Sequence, residues 1–293
     1  MPSFQSDLVG FLHRGLQAHG DLFRFRLGPR EVLLFCGPQA HDFFFGPADD
    51  QLDPKAVYEF TVPIFGRGVA YDVAPEIMSE QLGFVYPALQ GGSMQRFTRI
   101  MREEISLFAD SLGDEGEIDL PSALNQLTVK IASHCLIGEE VRALVDQGFA
   151  ADYHDLEKGI NTIGFFFPKL PTTAHRSRDR ARKRIVKLIG GVLDERRRSG
   201  RTPNDFMQAL MAARYKSGRS LEDEEIIGIL LTLLFAGQHT SAVLATWTGL
   251  ELAGSPSYLQ RVRQEIHEVY RDNAEFGLGT LKSQTLLEYS VRE

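Results

Sequence analysis

Leu233-Leu234-Phe235-Ala236-Gly237-Gln238-His239-Thr240-Ser241-Ala242-Val243-Leu244-Ala245-Thr246-Trp247 lies at the centre of a stretch, Ile226 to Leu250, that carries no Asp, Glu, Lys or Arg. Ser220 stands three residues before Asp223, an imperfect capping box with Asp in place of Glu, and acids crowd the turn that follows, where the helix dipole favours them. The pattern predicts one helix over 221–253, about 50 Å long at 1.5 Å per residue. That length would cross a bilayer. Four polar side chains after a mid-helix glycine, however, are costly in lipid and suit a buried helix that lines a cavity. Glycine there costs roughly 1 kcal/mol against alanine, which a bend or the close approach of a ligand would justify. The bland reading of the same residues is a core histidine satisfied by its neighbours, with threonines bonding back onto the helix.

Upstream, Phe23, Phe25 and Leu27 alternate, Gly28-Pro29 turns the chain, and an apolar run follows, so 21–36 reads as a β-hairpin. Pro38 opens a short helix, PQAHDFFF. From Leu52 to Tyr71, Pro54, Pro63, Gly66 and Gly68 among aromatics predict an ordered loop. Helical patterns then cover 93–111, 121–137, 142–165, 174–198, 204–216, 221–253 and 256–271, with Pro121, Pro168, Pro171, Pro203 and Pro256 at the joints. The fold class is mainly α with one small hairpin, and no interdomain linker or repeat divides it. Arg176, Arg178, Arg180, Arg182, Lys183, Arg184 and Arg196 to Arg198 make 174–201 basic, which reads as a solvated helix face, with a docking patch for an acidic redox partner or lipid surface as the alternative.

The 293 residues hold 32 Lys and Arg against 39 Asp and Glu, a formal charge of -7 that argues against nonspecific nucleic-acid binding. Cys36 and Cys135 alone cannot build a disulfide framework, and a reducing, cytoplasmic setting with a soluble chain is expected. No signal-peptide pattern is visible, since Asp7, His13 and Arg14 interrupt the N-terminal apolar residues. Gly66-Arg67-Gly68 starts a dinucleotide-like fingerprint, but Tyr71 stands where its third glycine belongs. No His-Glu-x-x-His supports zinc hydrolysis, and no residue is assigned to a metal.

The central stretch resembles the oxygen-activating helix of the cytochrome P-450 superfamily, whose general pattern is Ala-Gly-x-acid-Thr. With His239 in the acid's place, Ala-Gly-Gln-His-Thr-Ser is similar to the sterol 14α-demethylases in particular. Val57-Tyr58-Glu59-Phe60-Thr61-Val62-Pro63-Ile64-Phe65-Gly66-Arg67-Gly68-Val69-Ala70-Tyr71-Asp72 resembles the same family's substrate-recognition loop. HGDLFRFRLG, ASHCLIGEE and SRDRAR extend the likeness along the chain.

That resemblance implies the N-terminal part of the cytochrome P-450 fold over 1–293, a single incomplete domain with its recognition loop at 52–72 and central helix at 221–253. It implies a haem whose thiolate ligand lies outside this chain, and oxidative removal of a sterol's 14α-methyl group. The thiolate would favour O–O cleavage. Molecular oxygen, a sterol substrate and a ferredoxin or reductase as electron donor are the implied partners. Neither cysteine suits the iron: Cys36 ends a strand and Cys135 lies in an apolar helix. Glu293 would be the glutamate of the superfamily's Glu-x-x-Arg pair. Carried over by position, Tyr58, Phe60, Phe65, Tyr71 and Ala236 line the sterol cavity, and Tyr58, Tyr71 and Gly237 contact the haem. No Lys or Arg occurs from Asp72 to Gln95, so the basic half of the family's propionate clamp is missing there. Thr240 would hydrogen-bond oxygen, His239 would relay protons, and Glu157 would pair with His239 across the cavity roof. A monooxygenase of another bulky hydrophobe, or a noncatalytic sterol-binding or interaction fragment, are the alternatives.

Overall fold

A computed structural model describes residues 4, 6–46, 52–271 and 276–292; Glu293 lies outside them. In chain order the helices are α1 Leu8–His19, α2 Pro38–Phe45, α3 Lys55–Tyr58, α4 Val62–Phe65, α5 Pro75–Val85, α6 Gly92–Leu112, α7 Leu120–Leu136 and α8 Glu139–Leu144. There follow α9 Ala150–Glu157, α10 Thr162–Phe166, α11 Thr173–Ser199, α12 Phe206–Ala212, α13 Asp223–Gly254, α14 Pro256–Val269, α15 Leu278–Lys282 and α16 Thr285–Arg292. Strands β1 Leu22–Leu27 and β2 Arg30–Phe35 form the expected hairpin, Leu27 paired with Arg30 across the Gly28-Pro29 turn.

Local chemistry sets the helix ends. Asp119 accepts from the Ser122 N–H at 2.8 Å to start α7, and Asp205 accepts from Gln208 at 2.8 Å to start α12. The start of α13 differs in detail from the expected cap. Glu222 is its N-cap, and the Glu225 carboxylate accepts the Glu222 N–H at 2.8 Å. Ser220 is drawn instead into a bridge with Arg214. Two expected helices are shorter than their patterns. The 142–165 stretch becomes α8, a π-helical turn over Val145–Phe149, α9 and α10, because Asn161 caps a new start through the Gly164 N–H at 2.9 Å. The 204–216 stretch ends at Ala212, where the chain turns so that Tyr215 N–H reaches the Arg219 carbonyl.

The core lies where the first half of α13 meets α4, α11 and α12. Ile226, Ile227, Leu230, Leu231 and Leu234 pack with Ile64, Ile185, Ile189, Leu193, Phe206 and Leu210, all at most 1% exposed. Half of the most apolar window of α13 is buried in this way. Beyond Leu234 the helix rests on α7.

The basic 174–201 segment departs from a solvated face at two points. Arg178 is buried, both terminal nitrogens donating to the Pro168 carbonyl at 3.2 Å. Arg196 is buried too and bridges Glu140 at 2.7 Å and Asp205 at 2.6 Å, joining α11 to α8 and α12. A third tie is Glu104 of α6, which is buried and accepts from Arg142 at 2.6 and 2.9 Å and faces His134 Nδ1 at 3.1 Å.

Burial alone would raise the Glu104 pKa, but the Arg142 and His134 contacts outweigh it and hold the carboxyl below its ordinary value. Glu140 and Glu225 are held low in the same way by Arg196 and Arg219. A depressed carboxylate contributes stability that is complete above its unfolded pKa, about 4.3, and is lost as pH falls through the folded value. Thermal melting should therefore fall steeply on acidification below that range. Glu104→Gln should cost on the order of 3 kcal/mol at neutral pH by removing the buried charge that Arg142 and His134 face, and should flatten the acid limb of the melting profile.

Candidate active site

The recognition segment is a run of short turns rather than an irregular loop. It comprises α3, 3₁₀ turns at Glu59–Thr61 and Ala70–Asp72, and α4. Proline at the start of α4 and the positive φ of Gly66 (105°) delimit each piece. Gly228 brings α13 against it: a Cβ there would meet the Phe65 carbonyl and Val69 side chain at 2.7 Å. Arg182 of α11 donates to the Ile64 carbonyl at 3.2 Å and to Glu224 at 2.8 Å.

Its far end is pinned by a buried polar chain. Gln81 of α5, 4% exposed, accepts the Ala70 N–H at 3.2 Å and donates to the Gly68 carbonyl at 2.8 Å and the Tyr215 hydroxyl at 3.0 Å. Tyr215 in turn donates to Glu225 at 2.9 Å, and Arg219 closes on the same carboxylate at 2.7 and 2.8 Å. Burial, then Glu225, hold the Tyr215 phenol protonated by raising its pKa. These contacts keep Ala70 at φ 51°, a left-handed conformation that a side chain adopts at a cost of roughly 1–2 kcal/mol. Tyr71 is thereby turned onto Tyr58, ring centroids 4.0 Å apart and 15° from parallel. Sequence reasoning missed Gln81, Tyr215 and Arg182, since each is a lone polar residue whose partners are set only by the tertiary fold.

Tyr58, Tyr71 and Phe60 come together as expected. Phe60 lies 6.1 Å from Tyr58 and 5.5 Å from Phe165 of α10, and it lines an apolar cleft of about 650 Å³ with Leu27, Ile160 and Phe166. Neither tyrosine hydroxyl is hydrogen-bonded among the described residues, and burial followed by the Tyr58 neighbour raises the Tyr71 pKa. Phe65 sits apart from this group. It is 8% exposed and packs edge-on to Phe235 at 5.5 Å, with Tyr153 on the other side of Phe235 at 4.7 Å.

On α13, Ala236, Gly237, His239 and Thr240 share one exposed face, continued by Val243, Leu244 and Trp247. A Cβ at Gly237 would meet nothing within 4 Å, so a flat group can approach the backbone there. Thr232 and Thr246 bond back to the carbonyls four residues earlier, at 2.8 and 2.7 Å. Thr240 does not, and neither it nor His239 has a hydrogen-bond partner among the described residues. The expected Glu157–His239 pair is not formed. Glu157 Oε2 lies 3.4 Å from His154 Nδ1, its i–3 neighbour at the end of α9, while His239 faces the open side of α13. Cys135 is in the core, where burial pushes its thiol up to about 12, so it is a poor thiolate donor. Cys36 follows β2.

The profile of the cytochrome P450 family matches residues 5–293, so the chain belongs to that family. It is 36% identical over 246 residues to a sterol 14-demethylase of Arabidopsis thaliana, covering 84% of this chain and 50% of that protein. An obtusifoliol 14-alpha demethylase of Triticum aestivum is 34% identical, with 90% and 61% covered. A sterol 14alpha-demethylase of Mycobacterium tuberculosis is 32% identical, with 100% and 65% covered. The chain thus spans between half and two thirds of the length of these relatives. The retinoic acid-bound cyanobacterial CYP120A1 superposes with a TM-score of 0.84 over 99% of this chain and 65% of that one, at 22% identity, and so shares the fold.

Replacing Gln81 by Leu removes two bonds to the recognition segment and a third to Tyr215, and leaves Ala70 without its restraint. Amide hydrogen exchange of residues 66–72 should then quicken by about tenfold or more, the loss of one to two net hydrogen bonds, with the α11 core unchanged.

Proposed function

We propose that the protein is the oxygen- and substrate-binding part of a haem-thiolate monooxygenase that removes the 14α-methyl group of a sterol precursor. The observation that carries this reading is the open face of α13, where Thr240 and His239 present unsatisfied polar groups beside a glycine with free space above it. The names of the similar proteins supply the sterol. When bound, the haem supplies the oxygen activation. Gly237 and Ala236 give it a close approach, and the free hydroxyls of Tyr58 and Tyr71 are suited to donate to its propionates.

Thr240 Oγ1 holds a hydrogen bond to the oxygen substrate in place of the backbone bond its neighbours make. His239 moves protons at its ring nitrogens, one of which can donate while the other accepts. Glu157 enters this relay only on leaving His154, by a movement of α9. Phe60 lines the cleft beside Tyr58 and Phe165, and because it matches a position where family members with Phe lean toward sterols with one C4 methyl rather than two, we assign that preference here, as in obtusifoliol. The thiolate comes from outside this chain, and a ferredoxin or reductase delivers the electrons.

Two outcomes follow. After haem reconstitution of this chain, the reduced, carbon monoxide-treated protein should lack the thiolate-type Soret band. Appearance of that band would return Cys36 or Cys135 to consideration as ligand. In the haem-thiolate enzyme, His239→Ala and Thr240→Ala should each slow obtusifoliol demethylation by about 10²-fold while sterol binding stays near wild type, the scale of a lost proton-transfer group. Normal turnover in both variants, or much faster turnover of lanosterol than obtusifoliol, would overturn the corresponding assignment.

A further inference from the structure

From Leu231 to Thr246, α13 buries one stripe, Leu231, Leu234, Gln238, Ala242 and Thr246, at helical spacings of three and four, and only Thr248, nearer the helix end, is buried off it. Ala242 is small, and Thr246 spends its hydroxyl on its own helix. A smooth stripe of this kind resists separation of two helices but resists rotation poorly. Gln238 is different. It is 2% exposed, and its Nε2 donates to Asn125 Oδ1 of α7 at 2.8 Å, with the Asn125 carbonyl and Thr128 Oγ1 further off at 3.4 Å. Among the described residues this is the directional bond that α13 makes to α7. It stands between Gly237 and His239 in sequence, on the packed side of the helix, while both of them are exposed.

We infer that the Gln238–Asn125 amide pair fixes the rotation of the second half of α13 on α7, and that Gln238 is a positioning residue for Gly237, His239 and Thr240. This rests on the reading that the open face carries the oxygen chemistry only for its consequence; the lock itself is a property of two helices. Magnitude favours the role. Side chains stand roughly 5 Å from a helix axis, so a turn of about 30° would carry the Thr240 hydroxyl and His239 ring through about 2.6 Å. A misplacement of about 1 Å can already cost 10²-fold in a reaction that depends on alignment. Gln238 touches none of the reacting groups and acts through the orientation of its two neighbours. The Asn125 end has no signature in sequence, because a lone asparagine in an amphipathic helix reads as a surface residue.

The lone tryptophan makes the lock measurable without haem or turnover. Trp247 lies seven residues after Thr240, on the same face of α13, and is 60% exposed. Gln238→Asn shortens the amide by one methylene and breaks the bridge while keeping the polarity of the site. In the full chain it should shift the acrylamide quenching constant of Trp247 and lower its fluorescence anisotropy, with far-ultraviolet dichroism unchanged. Asn125→Gln in the same chain lengthens the other arm and should return both signals to wild type, while Asn125→Leu should reproduce the Gln238→Asn shift. If Gln238→Asn alone fails to fold, recovery of a folded chain with wild-type Trp247 signals in the swapped double variant is the supporting outcome. Unchanged Trp247 signals in the folded single variants, or a double variant that adds the two defects instead of cancelling them, would overturn the lock. In the haem-thiolate enzyme, Gln238→Asn should lower kcat by about 10²-fold with KM held, again recovered by the swap. Loss of turnover with intact Trp247 signals would leave the lock refuted and the oxygen-face reading standing.

Discussion

A helix that is apolar on nearly every side must bury what it can and leave open what it uses. For α13 the division falls at Leu234. Before it, Ile226 to Leu231 are enclosed by α4, α11 and α12, and burial of side chains of this size is worth about 1.5–3 kcal/mol each. After it, one stripe faces α7, and the opposite face, from Ala236 to Trp247, is uncovered. The rest of the described fold is arranged around that division. The Glu225 carboxylate fixes the buried end and, through Tyr215 and Gln81, the recognition segment beside it. Gly228 lets that segment lie directly on the helix backbone. Arg196 and Glu104 tie the surrounding helices to one another, so the platform under α13 is rigid.

The same division decides what the polar centre of the helix can do. Polar groups in a packed core are expected to be paired, and where α13 is packed Thr232, Thr246 and the Gln238 amide nitrogen are, while the buried Gln238 Oε1 is left without a partner. Among the described residues His239 and Thr240 are unpaired because they face outward, next to the glycine that costs the helix stability and returns close access. Membership of the cytochrome P450 family gives that face its chemical context. The stacked pair Tyr58–Tyr71, with neither hydroxyl bonded among the described residues, sits on the segment that Gln81 holds in a strained conformation. Strain of this kind persists only where neighbouring contacts over-determine it.

Much of this was legible in the sequence, for physical reasons. Period-two and period-3.6 patterns reveal the hairpin and the long helices, because their burial is local and repetitive. The Ala-Gly-Gln-His-Thr-Ser stretch announces itself by contrast with its apolar flanks. The failures have a common cause. The 52–72 segment folds into short turns because proline, Gly66 and tertiary contacts act together, and composition reveals only that it is ordered. The breaks at 158–161 and 213 depend on Asn161 and on the Arg214–Ser220 bridge, single contacts without periodicity. Gln81, Tyr215, Asn125 and Arg182 hold the site through pairings of high sequence separation. The Glu157–His239 pair was carried over from a family pattern, whereas here a carboxylate at the end of α9 bonds the histidine one turn back.

The central claim is that the open face of α13 receives the haem. Titration of the chain with hemin, followed through Trp247 on that same face, tests it most directly. Saturable quenching at one hemin per chain, abolished by Gly237→Leu while the fold is retained, is the predicted result. Hemin that binds without quenching Trp247, or quenches it equally in the Gly237→Leu chain, would contradict the claim.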